Sequence, residues 1–338
     1  KNIIMGAKIK NIEFITASIK LTNDDLKNEF QDYNFKRFET RVGIRQRFVA
    51  AKNETTLSLA EKACNKLLEK SNLKRNQIDY LILCTQSPEY KLQTTACILQ
   101  GRLGLSKDIG AFDFNLGCSG YVYGLFLANK IVCKEKKNIL LVTSETYSKL
   151  LHPEDRSNRS IFGDAATATW VQYSETDEIG DFVLGTDGSG FDKLIVKNGG
   201  DKYPFNHDPE KLSYGSGNNY TENNLYMDGP EIYNFTSTKI PEVINETLKK
   251  NNLEENQVDR FILHQANKIL LNQIRVSLGI TKEKFYINLD NYGNTVSNTI
   301  PIALKEYLDE NKDQKDTKSI ILTGFGVGLS WASCLIKI

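Results

Sequence analysis

Asn72-Leu-Lys-Arg-Asn-Gln-Ile-Asp-Tyr-Leu-Ile-Leu-Cys84 returns later in the same chain as Asn252-Leu-Glu-Glu-Asn-Gln-Val-Asp-Arg-Phe-Ile-Leu-His264. Asn, Leu, Asn, Gln, Asp, Ile and Leu recur at matching places. A helical pattern precedes each copy, over 57–70 and 241–250, and each copy ends in a short apolar run that predicts a buried strand. A second pair follows in the same order: Asp113-Phe-Asn-Leu-Gly-Cys118 matches Leu289-Asp-Asn-Tyr-Gly-Asn294. In both, a strand-like stretch is expected to end at the glycine, with a helix beginning after it. Ile139-Leu-Leu-Val-Thr143 and Ile320-Ile-Leu-Thr323 give a third pair, and Phe162-Gly163 and Phe325-Gly326 a fourth. Four matches in one order predict an internal duplication. Alternating strands and helices in each copy imply an α/β fold with buried sheets and a pseudo-twofold axis. The halves are expected at 1–175 and 176–338. The segment 198–224 breaks the pattern, being rich in Gly, Asn, Asp and Tyr, and is read as a mobile surface excursion near the site entrance.

The 338 residues are ample for a large core. Forty-three basic and 42 acidic side chains leave a formal net charge of +1, which gives no support for nucleic acid as partner. No run is long and apolar enough for a membrane span, and residues 1–14 lack the continuous apolar stretch of a signal peptide. A cytoplasmic location is the default expectation. The six cysteines form no C-x-x-C pair, so neither a zinc site nor a thioredoxin-type motif is expected, and no metal is implied.

The duplication sharpens the search for chemistry. Cys118 and Asn294 occupy equivalent places, and so do Cys84 and His264. A pseudo-twofold axis can therefore bring Cys118, His264 and Asn294 together from distant sequence. Cys118 sits in the tight turn Leu116-Gly-Cys-Ser-Gly120 before an apolar helix. The positive end of that helix and its unpaired N–H groups are expected to lower the thiol pKa and to hold an oxyanion. The bland alternative is a buried structural cysteine. His264 ends an apolar strand and suits proton transfer or oxyanion stabilisation; its alternative is a satisfied core histidine. Asn294 could equally serve as an ordinary turn or cap. Gly324-Phe-Gly-Val-Gly-Leu-Ser-Trp331 lacks the lysine of a phosphate loop, and is read as a hairpin that brings backbone N–H groups to the cysteine.

Asn115-Leu-Gly-Cys-Ser-Gly120, His264-Gln-Ala-Asn267, Gly293-Asn-Thr295 followed by Pro301, and Gly324-Phe-Gly326 resemble the β-ketoacyl-acyl-carrier-protein synthase III family. Arg41-Val-Gly-Ile-Arg45 and Ile161-Phe-Gly-Asp164 do so too, and the motifs run in the family's order over nearly the whole chain. The resemblance implies the duplicated thiolase fold, layered α-β-α-β-α. It implies an acyltransferase that passes an acyl primer from coenzyme A or a carrier protein to Cys118. The enzyme would then condense the primer with malonyl-acyl carrier protein, losing carbon dioxide, in fatty-acid or specialised acyl-chain synthesis. His264 and Asn294 would hold the malonyl thioester oxygen. Backbone N–H groups of Cys118 and Val327 would form the oxyanion hole. Asn267 would contact pantetheine, Arg41 and Arg156 the coenzyme, and Leu92, Phe162 and Tyr233 the acyl end. A homodimer is implied, with Leu92 reaching the partner's acyl pocket. No cofactor is implied beyond coenzyme A or phosphopantetheine as substrate carrier.

The chain departs from the family at telling places. Arg37 stands where the family has a tryptophan stacking on the adenine. Ile269 stands where many members have a carrier-docking arginine. Leu92 replaces a common phenylalanine, and Val327 a glycine. These changes point to an unusual primer, with a wider acyl end. The competing reading is an acyltransferase that uses the same residues to acylate an amine or hydroxyl of a small molecule or sugar. A catalytically silent scaffold is the third reading, disfavoured because all three chemical positions are intact.

Overall fold

The computed structural model describes residues 6–313 and 316–338. Residues 1–5 of the N-terminal stretch 1–14 lie outside the described residues. In chain order the elements are β1 (Gly6–Thr16), β2 (Ile19–Thr22), α1 (Asn23–Glu29), α2 (Phe35–Val42), β3 (Gln46–Val49), α3 (Thr56–Lys70), β4 (Tyr80–Cys84), α4 (Thr95–Arg102), β5 (Gly110–Phe114), α5 (Gly120–Glu135), β6 (Asn138–Glu145), α6 (Arg156–Ile161) and β7 (Ala165–Ser174). They continue as β8 (Ile179–Thr186), β9 (Leu194–Val196), β10 (Leu212–Tyr214), β11 (Asn218–Tyr220), β12 (Leu225–Met227), α7 (Gly229–Lys250), β13 (Arg260–Leu263), α8 (Lys268–Ser277), β14 (Phe285–Tyr286), α9 (Thr299–Glu310), β15 (Ser319–Gly326) and β16 (Ser330–Lys337).

Two five-stranded sheets carry the fold, ordered β1-β7-β6-β4-β5 and β8-β16-β15-β13-β14. The two orders correspond strand for strand. So do the directions: β4 runs parallel to β5 and β6, as β13 does to β14 and β15. β7 and β16 each run antiparallel to both their neighbours. The repeat found in the sequence is thus a repeat of topology. The chain leaves the first sheet at β7 and enters the second at β8.

The layers follow from side-chain alternation. In β4, Leu81 and Leu83 enter one core while Ile82 enters another, since successive side chains point to opposite faces. Ile82 meets α5 and α9, which lie between the sheets. Leu81 and Leu83 meet α3 and α4 outside the first sheet. Residues of α7 and α8 cover the outer face of the second sheet, against Phe261 and Leu263 of β13. Central helix α5 buries Tyr121, Val122, Leu125, Ala128 and Val132 on several faces, as a helix between two sheets must. Truncating Leu83 to Ala would cost about 2–5 kcal/mol.

Three local expectations change. The regular strand before Gly293 is only Phe285–Tyr286, and turns lead from it to the glycine. The helix after Asn294 starts at Thr299, after a tight turn over Val296–Asn298. Pro301 explains the delay: its ring tolerates the first helical turn but not a later one. Segment 198–224 holds regular structure. β10 and β11 form a hairpin within it, and the β9–β12 pair closes its base.

Candidate active site

Cys118 lies two residues before α5, 5% exposed, and lines a cavity of about 100 Å³. His264 follows β13 and Asn294 follows Gly293; both are buried and both line the same cavity. The three residues come from both halves, as the pseudo-twofold argument requires. Gly293 has φ +65°, and a Cβ there would sit 2.6 Å from the Ile161 carbonyl oxygen, so only glycine lets Asn294 enter. Phe162 and Asn294 form an isolated parallel bridge at this seam.

The C-terminal hairpin of β15 and β16 reaches the thiol. A Cβ on Gly326 would fall 2.8 Å from Cys118 Cβ and 2.9 Å from Sγ. Backbone N–H groups of Val327 and of Cys118 itself are directed at the sulfur. Fixed donors at this point can hold a developing oxyanion.

The electrostatics reverse one expectation. Burial pushes the Cys118 thiol up to about 12, with a further rise from nearby Glu145 and a smaller opposing effect of the two N–H groups. The helix-end argument for an acidic thiol therefore loses to desolvation. Burial also pushes His264 down to about 3, so its imidazole is neutral. His264 Nδ1 lies 2.7 Å from Thr299 Oγ1, and Nε2 lies 3.5 Å from Asn294 Nδ2. Val296 N–H donates to Asn294 Oδ1 (2.9 Å), which leaves the amide NH2 as the group available to a ligand.

The remaining expected residues divide. Asn267, Phe162 and Tyr233 line the cavity, and Asn267 also caps α8 through Leu270 N–H. Leu92 does not; it is 93% exposed between β4 and α4. Arg41 lies with Arg37, Tyr33, Phe38 and Ile269 along a surface groove. Arg156 stacks on the Tyr33 ring at 4.1 Å and donates to the Ser216 carbonyl oxygen. Sequence reasoning missed Tyr33, which lies four residues before Arg37 and gives Arg156 an aromatic face. It also missed Tyr147, whose ring lies 5.3 Å from that of Phe162 in the cluster around Cys118. Neither sits in a motif. Among the described residues no group of three or more His, Cys, Asp or Glu could hold a metal ion, and no helix is long and apolar enough to cross a membrane.

A buried thiol, a neutral histidine and an asparagine amide, gathered at the seam of a duplicated five-layer fold, define a thiolase-fold condensing enzyme. A family model described as 3-oxoacyl-[acyl-carrier-protein] synthase III matches residues 112–188, and its C-terminal counterpart matches residues 248–338. The chain is 37% identical over 335 residues to a β-ketoacyl-[acyl-carrier-protein] synthase III of Clostridium perfringens, covering 98% of this chain and 99% of that protein. A crystal structure of a 3-oxoacyl-(acyl-carrier-protein) synthase III matches with TM-score 0.95 and 42% identity, covering 98% of this chain and all of that one. A 3-oxoacyl-(acyl-carrier protein) synthase from Burkholderia xenovorans matches with TM-score 0.91 and 31% identity, covering 99% of this chain and 95% of that one. The chain belongs to the β-ketoacyl-acyl-carrier-protein synthase III family of condensing acyltransferases.

Proposed function

We propose that the protein takes an acyl primer from coenzyme A onto Cys118 and condenses it with malonyl-acyl carrier protein, in fatty-acid or related acyl-chain synthesis in the cytoplasm. The carrying observation is the meeting of Cys118, His264 and Asn294 at one cavity. Cys118 Sγ bonds to the primer carbonyl carbon, and the coenzyme thiol leaves with the proton. The N–H groups of Cys118 and Val327 hold the oxyanion. The malonyl C–C bond then breaks and carbon dioxide departs. Its electron pair passes into the thioester enolate, whose oxygen accepts from His264 Nε2–H and the Asn294 amide. In this reading the Thr299 hydroxyl turns its proton from the Val296 carbonyl oxygen to Nδ1, which accepts it. The enolate carbon attacks the acyl-cysteine and the Cys118 thiolate leaves.

The neutral imidazole favours this chemistry over acyl transfer to an amine or hydroxyl. Such a transfer needs a general base, and a histidine pushed down to about 3 is a poor one. Decarboxylation needs only donors at an oxygen. Intact mass after incubation with acyl-coenzyme A tests loading, and carbon dioxide release on adding malonyl-acyl carrier protein tests condensation. A loaded enzyme that releases no carbon dioxide but acylates an added amine would overturn the reading.

The coenzyme is taken to lie along the groove of Tyr33, Arg37 and Arg41, with Arg156 beside it. Tyr33 supplies the aromatic face that Arg37 cannot, and Asn267 meets the pantetheine arm. The active form is taken to be a homodimer. β5 is an unpaired sheet edge in the single chain, and Leu92 and Tyr90 project nearby at 93% and 60% exposure. Sedimentation at twice 38.2 kDa is expected, falling towards the monomer in Leu92→Asp.

A further inference from the structure

Glu145 ends β6, is fully buried, and takes no part in the chemistry described above. Its carboxylate accepts from Gln86 N–H (3.1 Å), Ser87 Oγ (3.0 Å) and Thr85 Oγ1 (3.4 Å), all at the exit of β4. Its other oxygen accepts from Ser297 Oγ (2.9 Å), in the second half of the chain. All four donors are neutral. One acidic side chain therefore ties the two halves together behind the site.

Each end of that tie touches the machinery. Ser297 follows Val296, a β-branched residue held at φ +57°. That conformation persists only where the surroundings over-determine it. Here Ser297 is held by Glu145. Asn298 is held by Thr143 Oγ1 (2.6 Å) and by the Ala165 carbonyl (2.9 Å). Val296 N–H in turn fixes the Asn294 amide. On the other side, Gln86 Oε1 accepts from the Tyr147 hydroxyl and lies 2.3 Å from where a Cβ on Gly117 would stand, next to Cys118. The titratable groups on which the Glu145 charge acts are Cys84 on β4, Cys118 before α5, and Tyr147 after β6. No cation is among its donors, and burial pushes its own pKa up to about 8.

We propose that Glu145 is a positioning residue of this site: its carboxyl pins the strained Asn294–Ser297 turn to the Cys118 half. Its charge, when present, also opposes ionisation of the Cys118 thiol. The inference rests on the roles given to Cys118 and Asn294 above. Iodoacetamide alkylation requires no acyl donor, so its outcome and that of the condensation assay fail independently.

Alkylation of Cys118 is followed by peptide mass from pH 6 to 10 in wild type and Glu145→Gln. Exposed Cys97 is scored separately. The two proteins should react alike below about pH 7, where the wild-type carboxyl is neutral, and Glu145→Gln should be at least threefold faster above about pH 9. Coincident profiles over the whole range would overturn the charge effect. Ser297→Ala leaves the carboxyl in place and reads the turn: carbon dioxide release should fall about tenfold while loading of Cys118 stays within twofold. Unchanged carbon dioxide release, or an equal fall in both half-reactions, would overturn the positioning role. Should Glu145→Gln not fold, the wild-type profile itself decides. It must flatten near pH 8, and a single simple titration would refute the charge effect.

Discussion

Asn294 Nδ2 stands 3.5 Å from His264 Nε2, and this pair, from two turns of the second half, faces a cysteine from the first. Neither residue hydrogen-bonds the thiol among the described residues; the groups that favour its charged form are the backbone N–H groups of Cys118 and Val327. The site therefore holds two separate donor sets, one at the sulfur and one across the cavity.

That separation predicts that the half-reactions part under mutation. His264→Ala and Asn294→Ala should each still form the acyl-enzyme in intact mass measurements. Each should slow carbon dioxide release by about 10²–10³-fold, the usual loss for one donor at a developing oxyanion. Equal damage to loading and decarboxylation would refute the assignment.

Burial of His264 as a neutral ring also predicts an acid-sensitive fold. Its folded pKa of about 3 lies below the ordinary 6.5. Between those values the unfolded chain binds the proton and the folded one does not. This group's share of stability is therefore intact above about pH 6.5 and is lost as pH falls towards 3, by up to about 1.4 kcal/mol per unit. Glu145 and Asp164 act oppositely, since burial raises them to about 8 and about 6. The difference in unfolding free energy between wild type and His264→Ala isolates the histidine. It should be constant above pH 7 and should shift against the wild type below pH 6. A difference independent of pH down to 4 would show that the ring is protonated in the fold.

Gly326→Ala should silence loading. The new methyl would fall within 3 Å of Cys118 Cβ and Sγ, and the hairpin backbone offers little room to yield. Acylation of Cys118 should drop more than tenfold while far-UV circular dichroism stays unchanged. Loading at the wild-type rate would refute the claim that the thiol needs a glycine at 326.

The sequence disclosed the strands β4, β6, β13 and β15 because they are short apolar runs repeated in order. It disclosed Cys118, His264 and Asn294 because duplication gave them equivalent places. It could not disclose Glu145 or Tyr147, whose roles arise only when the ends of β4 and β6 meet the turn after Asn294. The thiol's ionisation was misjudged for a related reason. A helix start is visible in sequence, whereas the burial that outweighs it depends on Leu194, Leu225 and Phe162, brought together from distant positions. The regular structure of 198–224 was hidden because its strands are three residues long and polar.

Primer size is the last consequence. The sequence points to a wide acyl end through Leu92, smaller than phenylalanine and expected to reach a partner's acyl pocket; Leu92 does not line the cavity of its own chain. Phe162 does, as does Leu194, and the Phe162 ring packs on Tyr147 in a cluster with Cys118, Leu225 and Val296. Tyr147 is further fixed through its hydroxyl, which donates to Gln86 Oε1 at 2.5 Å. A lining ring backed by a second, fixed ring resists compression, because interiors are close-packed. The enzyme should therefore load acetyl and other short groups in preference to long or branched ones. Phe162→Leu should relax that wall. The backbone bridge from Phe162 to Asn294 does not involve the ring, so carbon dioxide release per loaded enzyme should be retained. One methylene-sized contact is worth about 1–3 kcal/mol, so the ratio of acetyl to branched-acyl loading should fall by about 10-fold or more. Competition between acetyl- and isobutyryl-coenzyme A for Cys118, read by intact mass, measures that ratio directly. A ratio unchanged by Phe162→Leu would move the size limit away from this wall and onto the Leu92 loop of a partner subunit.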